Sequence, residues 1–300
     1  MIASAMPKSP LSRLVDLHDL TAVWEEVSRL DLLMCPGMDL APISAAYQDM
    51  RRLFAGRYPG YRACNTRFHD IHHTTDALVA MTRLMHGAFV SGARFSEPEI
   101  VLAEISAVFH DSGYIQTSED TKGTGAQYTA CHVDRSIIFL DRYFLERSFP
   151  PQWPGISAEL LRCTGLNVDI EGIEFAPGNF NLLGRMLGAG DLLGQMADRT
   201  YLKKLLYLYE EFQEGHIPGF ASELELLQKT VRFYEATRTR LAHDLGGVDR
   251  HMRAHFKARW GIDRDLYAET IRGHIDYLKA VLAEHPEDYR RFLRREAPAA

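Results

Sequence analysis

Apolar residues recur along almost this whole chain at the three- and four-residue intervals of an amphipathic helix, and the two-residue alternation of a strand is nearly absent. That periodicity makes an all-α fold the expectation. The spacing predicts helices over Leu11 to Leu33, Pro42 to Ala55, Asp70 to Met85, Glu97 to His110, Gln127 to Glu146 and Ser157 to Leu166. Further helices are expected over Asn181 to Ala197, Asp198 to Glu214, Ser222 to Leu245, Asp249 to Trp260, Leu266 to Leu282 and Pro286 to Arg294. Pro36-Gly37, Pro59-Gly60, Pro177-Gly178 and Gly246-Gly247 fall between them, where turns are needed. Ser96, Pro98 and Glu99 mark a helix start: a capping serine, a proline in the first turn and early acidic groups. No internal repeat or low-complexity linker divides the 300 residues, so one domain is expected, with more charged helices from Asp198 onward.

Composition bounds the function. A chain that is 46% apolar can bury a full core. Its net charge of -6 argues against binding a nucleic-acid duplex, which calls for a basic excess, but leaves room for a local phosphate pocket. The first residues, MIASAMPKSPLSRL, lack the apolar stretch of a signal peptide, and no segment approaches the length of a membrane span. A cytoplasmic protein with no membrane partner is the expectation. Cys35, Cys64, Cys131 and Cys163 form no CxxC pair, so reduced and mostly buried thiols are expected.

The chemistry concentrates in a few polar residues set among apolar ones. His110 and Asp111 end the run IVLAEISAVF, where an imidazole and a carboxylate are costly to bury unless something neutralises or coordinates them. The carbonyls at that helix end favour a cation. Upstream, His69, His72, His73 and Asp76 follow the spacing of one helix face. Downstream, Asp191 lies in the apolar run LGAGDLL, where it needs a metal or a partner such as Arg185 or Arg199. The polar segment Gln116 to Gln127 reads as a loop, with Lys122 beside glycines that can present backbone amides to a phosphate. His132 follows the loop, with surface, metal-supporting and metal-ligating roles all open to it. The remaining histidines read as surface or satisfied core groups, and the basic stretch holding His251 and His255 as a solvated helix.

Phe68-His69-Asp70-Ile71-His72-His73, then His110-Asp111, then Gly190-Asp191-Leu192 resembles the HD superfamily of metal-dependent phosphohydrolases, and in motif order its class I cyclic-nucleotide phosphodiesterase branch. The resemblance covers roughly residues 60 to 215. It implies an HD-domain-like helical bundle with a catalytic core over about residues 55–215 and a helical extension over about residues 216–300. It implies His73, His110, Asp111 and Asp191 as metal ligands, Asp111 also as a catalytic group, and His69 as the general acid. Gly113 and Tyr114 depart from the phosphodiesterase pattern, which places an acid and a histidine there as support for a second metal. His132 resembles the group that several HD proteins add on the following helix.

Two imidazoles and two carboxylates suit Mn, Fe, Zn or Co, with Mg compatible as a second ion. A metal so held would bring the pKa of a bound water down to about 7. His69 would protonate the leaving oxygen, Asp76 would orient a histidine, and Lys122 and His132 would contact substrate. A small-molecule phosphoester or nucleotide is the substrate class expected. A di-iron oxygenase on the same scaffold and a non-catalytic, metal-stabilised ligand-binding module are the competing expectations. The amphipathic helices of Ser222 to Leu282, with Phe233, Tyr234 and Trp260, offer core packing, a lid or a homodimer surface.

Overall fold

The computed structural model describes residues 11–293. Residues 1–10, most of the opening segment MIASAMPKSPLSRL, and Arg294, the expected end of the last helix, lie outside the described residues. The architecture is an all-α helical bundle. Its first half consists of α1 (Leu20–Met34), α2 (Ala41–Phe54), α3 (Ile71–Val90), α4 (Glu97–Phe109), α5 (His132–Glu146) and α6 (Trp153–Arg162). The second half is α7 (Phe180–Ala197), α8 (Tyr201–Glu214), α9 (Glu223–Ala242), α10 (His251–Trp260), α11 (Leu266–Glu284) and the short α12 (Tyr289–Leu293). Among the described residues the only extended pairings are two isolated antiparallel bridges, Ala55 with Ala63 and Tyr61 with Thr117.

Caps explain where the helices depart from the periodicity. Asp19 accepts the Thr21 amide at 2.8 Å, so α1 starts at Leu20, and Leu11–Arg13 forms a separate 3₁₀ turn. Asp70 accepts the His73 amide at 2.9 Å and starts α3 at Ile71. His69 therefore stands just outside the helix and does not share one face with His72, His73 and Asp76. Ser96 starts α4 as expected, and with Glu99 it forms a capping box. A 3₁₀ turn at Gly125–Tyr128 delays α5 to His132.

Helix α3 is the centre of the bundle, buried over most of its length, with α1, α4, α7 and α10 packed around it. Its tightest neighbour is α7. A Cβ added at Gly194 would lie 2.7 Å from the Asp76 carbonyl carbon, and one at Gly190 would lie 2.9 Å from the Met81 amide nitrogen. Side chains at either position would push the two backbones apart. The C-terminal helices close over the same core: α10 packs on α3, and α11 on α7. Phe233, Tyr234 and Trp260 are half-buried and rest against the core. No helix is long and apolar enough to cross a membrane among the described residues.

Two expectations are corrected here. His255 is not on a solvated face: it is fully buried where α10 meets α3, with its Nδ1 3.1 Å from Nδ1 of His86 and its ring against Trp260. Burial and the nearby Arg83 push its pKa far down, so it is neutral. The basic residues around it misled because they face outward while His255 faces in. The cysteines are free, as expected, but only Cys163 is buried; Cys35 and Cys64 are half-buried and Cys131 is exposed.

A second polar feature lies in the core. Asp31 of α1 and Glu104 of α4 are both fully buried, and Thr82 donates to Glu104 at 2.7 Å. Both Asp31 oxygens and Glu104 Oε2 lack a hydrogen-bond partner among the described residues. Burial pushes both carboxyls up, Asp31 to about 8. A raised acid is stabilising where it stays protonated, and that contribution is lost as pH climbs from the ordinary carboxylate range through the folded value. Wild-type protein should therefore lose stability between about pH 4 and pH 8 through this pair. Asp31→Asn, neutral throughout, should unfold at a higher temperature than wild type at pH 8, by roughly 2–4 °C for each kcal/mol recovered, and show a markedly smaller gain at pH 5. Thermal melts across that range check it, and equal pH profiles for the two proteins would refute it.

Candidate metal centre

Three helices bring four side chains together at one end of α3. His73 comes from its first turn, His110 and Asp111 from the end of α4, and Asp191 from the middle of α7. His73 Nε2 lies 3.0 Å from Asp111 Oδ2 and 3.2 Å from Asp191 Oδ1. His110 Nε2 lies 3.5 Å from Asp111 Oδ2 and 3.8 Å from Asp191 Oδ1. The close contact of α3 with α7 at Gly190 and Gly194 brings Asp191 across to His73. Arg185, which the sequence offered as a partner for Asp191, instead bonds Asn181, Glu171 and the Asp244 carbonyl.

The atoms facing this point are poorly satisfied without a cation. His110 Nε2 and Asp111 Oδ2 are buried and lack a hydrogen-bond partner among the described residues. They are near enough to each other for electrostatic attraction but are not aligned as a hydrogen bond. His110 Nδ1 lies 2.8 Å from the Ala107 carbonyl. Donation there leaves the Nε2 lone pair facing the centre, the tautomer a metal ligand requires. Burial alone would lower the His73 pKa, but Asp111 and Asp191 overrule it and raise it to about 10. Burial would likewise raise Asp111, yet the facing His110 and His73 imidazoles hold it well below the usual carboxylate range. Two carboxylates thus demand positive charge at this point. His73, His110 and Asp191 form one set of donors close enough to share an ion, and His69, His73 and Asp111 form another.

His73, His110 and Asp111 make the buried floor; His69, Asp191 and His132 make the partly open rim, their side chains 14%, 15% and 23% exposed. His132 Nε2 approaches Asp111 Oδ1 at 3.7 Å, and its Nδ1 lies 2.8 Å from the Thr129 carbonyl. Burial lowers its pKa despite the attraction of Asp111, so it too presents a neutral nitrogen. Gly113 permits this approach. A Cβ there would sit 2.0 Å from the His132 carbonyl oxygen, and the glycine amide donates to Ser136 of α5 at 2.8 Å. Where the phosphodiesterase pattern has an acid, this chain has a place for α5 to dock.

Tyr114 takes the other departing position and fills space between two imidazoles. Its ring stacks on His69 at 4.2 Å and on His132 at 4.6 Å, and its hydroxyl lies 3.4 Å from His69 Nε2. His69 is held from behind by Glu211 of α8, whose Oε2 lies 2.7 Å from His69 Nδ1. Glu211 Oε1 accepts the Arg67 and Phe68 amides at 2.7 and 2.6 Å. Burial would raise this carboxyl, but His69 and those amides bring it down, so it stays ionised. Sequence reasoning missed Glu211. Its only signal is a seven-residue spacing from Lys204, which also faces inward and bridges Asp70 at 3.0 Å and Asp198 at 3.2 Å.

Other expected contributors lie apart. His72 packs against His18, with ring centres 4.8 Å apart and tilted, away from the metal-facing atoms. Asp76 is buried but does not orient His73, whose Nδ1 has no hydrogen-bond partner among the described residues. It faces Asp198 and Lys204 instead, because its position beyond the first turn of α3 turns it toward α8. Lys122 is exposed on the loop, which is tied down through the Lys122 carbonyl by Gln116 at 2.7 Å and Gln127 at 2.8 Å.

Residues 116–244 match a protein family described as Npun_R2479-like. The matched part includes His132, Asp191 and Glu211, and begins after His69, His73, His110 and Asp111. No curated protein and no solved structure matches the chain.

The docking of α5 can be tested apart from any chemistry. Gly113→Ala should cost about 1–3 kcal/mol in urea unfolding, because the added methyl meets backbone rather than a flexible side chain. Gly155→Ala in α6, where an added Cβ meets nothing within 4 Å, should be neutral or stabilising. Equal effects at the two positions would rule out the close approach.

Proposed function

We propose that this protein is a metal-dependent phosphohydrolase, built on an HD-like scaffold, acting on a small-molecule or nucleotide phosphoester. The observation that carries the reading is the convergence of His73, His110, Asp111 and Asp191, with His110 Nε2 and Asp111 Oδ2 buried and without a hydrogen-bond partner among the described residues. That donor set, two nitrogens and two carboxylates, fits Mn, Fe, Zn or Co, and Mg suits a second, more hydrated position. When bound, such an ion supplies an activated water and polarises the phosphoryl group.

The chain's own residues provide the rest. Asp111 presents Oδ2 toward His73 and His110 and Oδ1 toward His132, so its two oxygens serve both sides of the centre. Glu211 fixes the His69 ring through Nδ1 and leaves Nε2 to carry the proton that the departing oxygen needs. Tyr114 holds the ring by stacking and limits water on that side. The free thiols fit a reducing, cytoplasmic setting.

One observation favours a second reading. His132 adds a neutral nitrogen beside Asp111 Oδ1, a ligand that a di-iron oxygenase would use. Two tightly held irons and substrate-dependent oxygen consumption would select that reading over hydrolysis.

For hydrolysis, the purified protein is assayed with generic phosphomonoesters and phosphodiesters, with and without Mn²⁺, and its metals are quantified. Asp111→Ala should abolish both turnover and tight metal binding; normal activity in that variant would refute the site. His69→Ala should retain the metal and lower kcat by about 10²–10⁴-fold, the usual contribution of a general acid. Equal metal loss in both variants would make His69 a ligand instead.

A further inference from the structure

On the far side of α5 from its His132 end, a cleft of about 230 Å³ opens between α2, the turn after it and the C-terminal half of α5. Arg52, Arg142 and Arg147 line it together with Tyr58, Tyr61 and Phe139. Its charge is unbalanced. Arg52 pairs with Asp49 Oδ1 at 3.0 Å, and Arg147 pairs with Asp49 Oδ2, so one buried carboxylate serves two guanidinium groups. Arg142 adds a further cation and Glu146 one anion, leaving a local excess of one positive charge in a chain whose net charge is -6.

Arg52 and Arg147 are also pre-positioned, both by Asp49, while Arg142 is exposed at the mouth. Arg147 lies over the Tyr143 ring at 3.8 Å and donates to the Tyr58 hydroxyl at 3.4 Å, so its entropy is already spent before anything binds. The aromatic wall is likewise built. Tyr61 packs edge-on against Phe139 at 5.4 Å, and Tyr58 packs against the same ring at 5.8 Å, while both tyrosines remain partly open. Two held arginines and an exposed one beside half-open aromatic rings are a combination that takes an anion carrying a planar group.

We propose that this cleft is a second ligand site, separate from the metal centre, for a small phosphate ester bearing a planar ring, of which a nucleoside monophosphate is the simplest form. Arg142 and Arg52 contact the phosphate, Arg147 supports them, and Tyr61 supplies the face on which the ring stacks. The site is coupled to the metal centre by backbone. Tyr61 forms a bridge with Thr117, and the Arg62 amide donates to the Gln116 carbonyl at 2.9 Å, tying the cleft's rim to the segment just after Asp111 and Tyr114.

The test is calorimetric titration of the full chain, stripped of metal with a chelator, using adenosine monophosphate, inorganic phosphate and adenosine as separate probes. Adenosine monophosphate should bind most tightly, because both halves of the ligand contribute. Arg142→Ala and Tyr61→Ala should each weaken it about tenfold or more, the worth of one charge-assisted or stacking contact. Asp111→Asn, which alters only the metal centre, should bind it as wild type does. No binding at millimolar concentration, unchanged affinity in Arg142→Ala, or affinity lost only in Asp111→Asn would each overturn the proposal. None of these outcomes depends on whether the metal centre hydrolyses phosphoesters.

Discussion

The backbone contact between α3 and α7 is the constraint on which the rest of this structure depends. Gly190 and Gly194 bring the two helices close enough for Asp191 to lie 3.2 Å from His73, and the end of α4 closes the same point with His110 and Asp111. The cost of collecting two carboxylates and two imidazoles in a buried place is then met only by added positive charge. In the chain alone a proton on His73 supplies it. A divalent ion would replace that proton and satisfy the nitrogen and oxygen atoms that now lack partners.

How much of this was legible in the sequence depended on the range of the interaction. Helical periodicity and capping chemistry are local, so the all-α class and the helix start at Ser96 could be read directly. His110, Asp111 and Asp191 were legible because polar residues in or beside apolar runs stand out, and His73 through the spaced histidines and the family resemblance; the helix packing does place the four together. What was not legible rests on tertiary contacts. Asp70 caps α3 in place of lying within it, which moves His69 off the expected face. Glu211 meets His69 across more than a hundred residues, and His255 faces inward from a helix whose local composition is basic. Gly113 looked like a missing ligand, whereas its lack of a side chain is what lets α5 bring His132 to Asp111.

The helices before and after residue 215 pack into one bundle. The four candidate ligands precede α8, but the carboxylate that holds His69 lies on α8, and α10 covers the outer side of α3. Ion-holding and proton-holding parts of the centre are therefore supplied by different stretches of one interlocked bundle. Helix α8 serves the site as well as the fold.

The triangle of His69, Tyr114 and His132 has a consequence beyond support. A phenol ring held within 4.2 Å of one imidazole and 4.6 Å of another shifts the magnetic environment of both. The carbon-bound ring protons of the two histidines lie in the ring current of Tyr114, at the mouth of the centre. The protein thereby carries its own spectroscopic label at that mouth, one that registers any molecule or ion that displaces a ring by a fraction of an ångström.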